Sequence, residues 1–229
     1  MSPQVIAAVT IGQAPRPDLL EPLLDRVGRG TTIVELGALD DIACDGSGHR
    51  IGQPDGPGSY PLTTRLRDGS SVTLDEGELA PLVQKAVNRA TDGGADVVLL
   101  LCAGGFLEVR AEGTLVRPFE AAVETAVKLS VRRMIVVVPF EGQARGAQQK
   151  WEAAGFEVQT IVGDLAGIEL PFGVAVDAIV LDYVGHPTLD VQALRAVAPV
   201  PVIDLGECGA EAALAALGAR ERAALTGQR

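Results

Sequence analysis

Short apolar runs rich in β-branched residues recur along this chain of 229 residues and alternate with stretches of helical periodicity. Such runs are typical of parallel strands that are covered on both faces. They predict strands at 5–11, 32–36, 96–101, 133–139, 157–161, 178–182 and 201–204. The periodic stretches predict helices at 16–26, 78–92, 119–129, 143–154, 190–198 and 206–217. This alternation predicts an α/β fold with a parallel sheet and right-handed crossovers.

One segment interrupts the alternation of strands and helices. Between 60 and 74, two alternating stretches flank Asp68-Gly69, a dipeptide that favours the tight turn of a β-hairpin. The preceding segment 43–60 is rich in glycine, proline and aspartate, which predicts a long loop, mobile or closed over a site as a lid. Residues 220–229 are expected to form a frayed tail.

An internal repeat indicates how the elements are organised. The run 95–104 can be aligned on 176–185, which pairs Asp96 with Asp177 and Cys102 with Tyr183 at the same displacement of 81 positions. A Gly-Gln-Ala sequence follows both the first and the fourth predicted strand.

If this match is not a coincidence, the repeat predicts two pseudo-symmetric halves within a single unit. The halves span about 1–115 and 116–219, and the hairpin 60–74 is an insertion in the first. Cys102 and Tyr183 then lie on opposite walls of one cleft.

The charge and cysteine content exclude several classes of function. A formal charge of −11 and a pI of about 4.6 oppose binding to nucleic acid or to an anionic membrane surface. No apolar run is long enough to cross a bilayer, and the first residues lack the pattern of a signal peptide. The three cysteines, an odd number, argue against a disulfide framework and for a reducing cytoplasm.

The candidate site lies at the carboxyl ends of the strands, where open α/β sheets bind ligands. Glycines at four of these ends allow the backbone to approach a ligand, and successive amides before a helix can hold an anion. The residues expected to bind substrate are Thr10, Gly12, Gln13, Arg16, Ala103, Gly104, Pro139, Phe140, Glu141, Val184, Gly185 and His186.

Cys102 and Tyr183 are the candidate catalytic residues. The amides of the Ala-Gly-Gly sequence after Cys102 are expected to favour its thiolate, as a base or nucleophile near neutral pH. The alternative is that Cys102 is a small buried hydrophobe at the end of a core strand. Tyr183 is either a proton donor or a wall of the pocket, since its ordinary pKa near 10 makes it a poor base.

Other polar residues have an alternative structural role. Arg16 can pair with a substrate carboxylate or form a salt bridge on a helix surface. Glu141 can be catalytic or can be a charge at a helix N-terminus. His49 and His186 have no second ligand at useful spacing, so no metal site is predicted. Dinucleotide, P-loop and serine-hydrolase motifs are absent from the sequence, and no cofactor is expected.

Several segments, taken together and in order, resemble the AroM family over almost the whole chain. They are 10–12 with Pro15-Arg16, 36–40, the hairpin 60–74, 102–106, Val138-Pro139 and 181–186. AroM proteins in turn resemble the aspartate/glutamate racemase superfamily, which includes hydantoin racemases, maleate isomerases and arylmalonate decarboxylases. The resemblance implies two pseudo-symmetric α/β halves, a cofactor-free site in the cleft, and a small carboxylate or amino-acid-like ligand. A second copy of the chain, in a homodimer, is a further candidate partner.

The resemblance also bears on the reaction. In racemases of this superfamily two cysteines face each other across the substrate; Cys102 matches the first, whereas Tyr183 stands where the second is found. Two-thiol racemisation is therefore unsupported, and a single cysteine resembles the one-thiol chemistry of isomerases or decarboxylases. The expectation is a cofactor-independent isomerase, racemase or decarboxylase that acts on a small carboxylate through one cysteine. The alternative is a catalytically inactive module that binds a metabolite or regulates.

Overall fold

A computed structural model describes residues 4–42, 60–163, 165 and 175–226. Apart from Tyr60, the expected loop 43–60 lies outside this part of the chain, and so do Cys44 and His49. The strands are β1 Gln4–Thr10, β2 Thr31–Gly37, β3 Pro61–Arg65, β4 Ser71–Asp75, β5 Val97–Leu101, β6 Thr114–Val116, β7 Arg133–Val138, β8 Glu157–Val162, β9 Ala178–Leu181 and β10 Val202–Asp204. The helices are α1 Pro17–Leu24, α2 Glu76–Asp92, α3 Pro118–Lys128, α4 Glu141–Ala153, α5 Thr188–Val197 and α6 Leu205–Thr226.

The described strands form two parallel sheets and one antiparallel hairpin. The first sheet has the order β2-β1-β5-β6, and the second has the order β8-β7-β9-β10. The two orders are identical when β1 is matched to β7, β2 to β8, β5 to β9 and β6 to β10. The predicted α/β fold of two pseudo-symmetric halves, with a hairpin in the first, is confirmed.

The repeated aspartates do the same work in both halves. Asp96 Oδ2 accepts a hydrogen bond of 2.9 Å from the amide of Val5, and the Asp96 amide donates to the Val5 carbonyl at 2.8 Å. In the second half, Asp177 Oδ2 accepts from the amides of Arg132 and Arg133, both at 2.9 Å, and the Asp177 amide donates to the Arg133 carbonyl at 2.8 Å. Asp96 therefore fixes the register between β1 and β5, and Asp177 fixes the register between β7 and β9.

Each sheet is buried on both faces, which explains its continuous apolar strands. In the first sheet, β5 is buried at all five positions between α2 on one face and α1 with α6 on the other. In the second, the fully buried Trp151 of α4 packs with α3 on one face, and Val191 and Leu194 of α5 pack on the other. No helix in the described residues is long and apolar enough to span a membrane.

The structure differs from the sequence predictions at two places, the C-terminal helix and strand β6. Helix α6 continues to Thr226, so the expected frayed tail is wrong for residues 220–226. Helix α6 as a whole is rich in alanine, the best helix former, and Leu217, just before this segment, packs against the first sheet. Strand β6 was not predicted, because three residues are too few for a periodic signal.

Candidate functional site

A cavity of about 240 Å³ lies where the carboxyl ends of both parallel sheets meet the hairpin. Strands β1 and β5 of the first sheet, and β7 and β9 of the second, end at this cavity. Its lining consists of Ile11, Arg16, Leu19, Leu62, Thr63, Thr64, Leu101, Cys102, Ala103, Pro139, Phe140, Gln143, Tyr183 and Val184.

Cys102 and Tyr183 both belong to this lining. Cys102 follows β5, and Tyr183 follows the equivalent strand β9. The predicted placement of the two residues in one cleft is confirmed, and it follows from the shared topology of the halves. Their catalytic roles stay predictions.

Cys102 is buried and its thiol is protonated at neutral pH. The side chain is 6% exposed, and its Sγ accepts a hydrogen bond from the Gly104 amide at 3.3 Å. Burial raises the pKa of the thiol to about 12, because desolvation outweighs that amide. The expected low-pKa thiolate is therefore wrong. Residues 102–104 form bends rather than the start of a helix, so the aligned amides that the expectation required are not there.

Tyr183 is half-buried and stacks on His186. The two ring centroids lie 3.5 Å apart at an interplanar angle of 44°. His186 Nδ1 in turn lies 2.8 Å from Oδ2 of Asp204, and both of these side chains are buried. His186 therefore supports Tyr183 and is not part of the lining, and its expected contact with substrate stays a prediction. The sequence did not reveal that Asp204 contacts the site, because there it appears only as the last residue of a predicted strand.

Three residues expected in the substrate cradle lie outside the lining: Thr10 stabilises its own loop, and Gly12 and Gln13 contact the hairpin. The Oγ1 of Thr10 accepts from the Gly12 amide at 3.2 Å. A Cβ on Gly12 would lie 2.3 Å from Thr64 Oγ1, so only glycine allows the hairpin to approach this closely. Gln13 donates to the carbonyls of Leu39 and Ile42 and accepts from the Arg67 amide.

Gly104, Glu141 and Gly185 also lie outside the lining. A Cβ on Gly104 would lie 2.8 Å from the Phe106 ring, and Gly185 has a φ of +102°. Both glycines therefore satisfy packing and backbone requirements. Glu141 is exposed at the first residue of α4, which matches the alternative of a helix N-terminal charge.

The hairpin contributes lining residues that the sequence did not reveal. Leu62, Thr63 and Thr64 of β3 form part of the cavity, because the insertion folds over the strand ends of both halves. Gln143 Nε2 donates to the Pro61 carbonyl at 2.9 Å and holds the hairpin from the second half. Gln143 is the repeat counterpart of Gln13, so the Gly-Gln-Ala repeat was the signal that could have identified it.

Arg16 is the only cationic side chain among the described residues of the lining. Its Nε and Nη2 donate to Asp18 at 2.9 and 2.7 Å, and its Nη1 lies 3.4 Å from Thr64 Oγ1. The guanidinium lowers the pKa of Asp18. The expected salt bridge is present, and it orients a guanidinium that also borders the cavity. The pairing of Arg16 with a substrate carboxylate stays a prediction.

A buried ion pair behind the cavity was missed altogether. The Lys150 ammonium on α4 lies 2.9 Å from Asp182 Oδ1 and donates to the Ala103 carbonyl at 2.8 Å. The Asp182 side chain is fully buried, and burial raises its pKa while Lys150 opposes that shift. A lysine within an amphipathic helix carries no sequence signal for such a contact, which arises only when the halves are packed together.

Comparison with known families gives this arrangement a context. The model of the AroM protein family matches residues 6–207. The chain belongs to the AroM family. No curated protein sequence matches this AroM protein significantly. Among the described residues, no group of three or more His, Cys, Asp or Glu side chains is arranged to hold a metal ion.

Solved structures share the fold of this AroM protein at low sequence identity. The maleate isomerase of Pseudomonas putida is 15% identical, with a TM-score of 0.63 over 94% of this chain and 93% of that one. An arylmalonate decarboxylase is also 15% identical, with a TM-score of 0.58 over 93% and 92%. A glutamate racemase of Bacillus anthracis is 13% identical, with a TM-score of 0.60 over 96% and 84%. The chain therefore has the fold that these enzymes share, as its resemblance to the superfamily implied.

Proposed function

We propose that this AroM protein is a cofactor-independent enzyme that delivers a proton to a small carboxylate substrate from a single thiol, Cys102. The observation that carries the proposal is the cavity between the two sheets, which brings one thiol, one guanidinium and one phenol together. The shared fold of an isomerase, a decarboxylase and a racemase supports this class of reaction.

The protonation state of Cys102 favours proton donation. A thiol whose pKa is raised to about 12 is protonated before substrate binds, so it can act as an acid without prior activation. When a carbanion forms at the substrate, the S–H bond breaks and a C–H bond forms from the electron pair on carbon. The resulting thiolate then recovers a proton from solvent. Decarboxylation is the simplest reaction of this kind, because the loss of CO₂ generates the carbanion and no base is needed to remove a proton.

The rest of the lining supports a carboxylate with an apolar body. Arg16 offers a cation and a forked donor set, and the Thr64 hydroxyl lies beside it. Apolar side chains from α1, the hairpin and the second half, such as Leu19, Leu62 and Phe140, supply the remaining walls. In a dicarboxylate, a second carboxylate that is held against these apolar walls and not by Arg16 is poorly solvated, which assists its loss as CO₂.

Tyr183 supports a one-sided reaction. It occupies the position equivalent to Cys102 but carries a phenol, whose ordinary pKa near 10 makes it a poor base at neutral pH. The proposal therefore assigns it to the wall that faces Cys102.

The free thiols Cys102 and Cys208 further support a reducing, cytoplasmic location.

The test begins with a thermal-shift screen of small mono- and dicarboxylates, followed by turnover assays on each ligand found. Cys102→Ala is then compared with Cys208→Ala. Cys208 is a matched control because it is also a buried free thiol, with a pKa raised to about 11, but it lies outside the cavity. The proposal predicts that only Cys102→Ala abolishes turnover. Full turnover without Cys102, or ligands that bind and are never converted, would contradict it, and the second result would favour a binding module.

A further inference from the structure

Lys150 occupies a junction between four parts of the molecule. From α4 of the second half it reaches the carbonyl of Ala103 in the first half at 2.8 Å and the carboxylate of Asp182 in the second at 2.9 Å. The same ammonium lies 4.7 Å from the ring centroid of Phe119 on α3 and 5.6 Å from that of Tyr60 before the hairpin. Its side chain is only 13% exposed.

Both polar partners of Lys150 are sequence neighbours of the candidate catalytic residues. Ala103 directly follows Cys102, and Asp182 directly precedes Tyr183. One ammonium therefore connects the two strand-end loops that place the thiol and the phenol in the cavity. A lysine is costly to bury unless it is paired and hydrogen-bonded, and here both conditions are met at the border of the two halves.

We propose that Lys150 is a positioning residue of this site, which ties the two strand-end loops together and holds a positive charge beside Cys102. The inference rests on the proposed function, since it gives Lys150 its role through the thiol. A purely structural ion pair would stabilise the junction equally well, so the two roles must be separated by a measurement at the sulfur itself.

Electrostatics supplies that measurement, because the two partners of the pair act on Cys102 with opposite sign. The charge of Lys150 lowers the pKa of the thiol, whereas the charges of Asp182 and Glu76 raise it. Tyr60 also faces the group, but burial raises its pKa well above the usual value and keeps it neutral. Replacing Lys150 or Asp182 by a neutral side chain breaks the same ion pair, yet it changes the charge near the thiol in opposite directions.

The experiment measures the rate at which iodoacetamide alkylates Cys102 between pH 8 and 10, read for that residue by peptide mass spectrometry. The variants are Lys150→Met, Asp182→Asn and the charge-preserving Lys150→Arg, and Cys208 in each variant serves as the internal reference. Below the pKa, the rate follows the thiolate fraction, which changes about tenfold for each pKa unit. We expect Lys150→Met to slow labelling at least about threefold, Asp182→Asn to accelerate it by a similar factor, and Lys150→Arg to stay near the parent rate.

The outcomes separate the roles without any need for a substrate. If breaking the pair merely loosens the junction, both neutral variants expose Cys102 and both accelerate labelling, which would overturn the proposal. Unchanged labelling in both would overturn it too. Should Lys150→Met fail to fold, Lys150→Gln removes the same charge while its amide can still donate to the Ala103 carbonyl, and it is expected to slow labelling where loosening would accelerate it. Because labelling is independent of turnover, this test can fail while Cys102→Ala still abolishes activity, and the reverse.

Discussion

The two halves of the molecule place different side chains after the ends of equivalent strands. In the first half, β5 leads to Cys102, which is buried and protonated; in the second half, β9 leads to Tyr183, which is half-buried against a histidine. The supporting aspartates, by contrast, join equivalent strands in both halves. The repeat therefore builds a symmetric frame, and the asymmetry at its centre determines what chemistry the cavity can perform.

The strongest test of this asymmetry compares how much turnover is lost when each of its two sides is substituted. We expect Cys102→Ala to lower turnover by at least about 10²-fold, because it removes the proposed proton donor. Tyr183→Phe should lower turnover by less than about tenfold, since a phenyl ring preserves the wall and the stacking on His186. Initial rates at saturating substrate measure both. Equal losses in the two variants would mean that the halves contribute alike, as in a two-base reaction.

A second comparison concerns equivalent glycines and the attachment of the hairpin. A Cβ on Gly12 would lie 2.6 Å from the backbone oxygen of Arg65, whereas a Cβ on its counterpart Gly142 would meet nothing closer than 3.2 Å. Gly12→Ala should therefore destabilise the protein by about 1–3 kcal/mol, the usual cost of overpacking. Gly142→Ala should be neutral or slightly stabilising, because alanine is favoured in a helix. Urea denaturation measures both variants, and similar midpoints would show that the hairpin is not held in this way.

The smallest expected effect is the pH dependence of the stability that Asp177 contributes in the second half. The amides of Arg133 and Arg132 lower the pKa of Asp177 from its ordinary value of 3.8. Since the folded-state pKa is depressed, the carboxylate stabilises the protein above pH 3.8, and this contribution is lost as the pH falls through the folded-state pKa. The Tm of Asp177→Asn should lie slightly below that of the parent at pH 7, and the gap should close as the pH falls below about 4. A gap that stays constant would show that the charge of Asp177 is irrelevant.

Much of the fold followed from the sequence, because its signals are local. Apolar runs gave the buried strands, Asp68-Gly69 gave the hairpin, and the displacement between Asp96 and Asp177 gave the pseudo-symmetry. The placement of Cys102 and Tyr183 in one cavity followed from that symmetry.

The remaining features of the site depend on long-range packing that no local pattern encodes. The hairpin could be recognised, but its position over both halves could not, so Thr64 was missed and Gly12 was assigned to substrate. The pKa of Cys102 depends on how deeply the assembled halves bury it. Lys150 acquires its contacts only where α4 meets the first half.

The most direct test of the central claim is the reaction in D₂O, once a substrate is found. The account predicts that product carries one deuterium at a single carbon in a single configuration, because one buried thiol delivers the proton from one side. Mass spectrometry and chiral chromatography of the product measure deuterium content and configuration together. Deuterium exchange of both enantiomers, with a racemic product, would contradict the account and require a second base opposite Cys102.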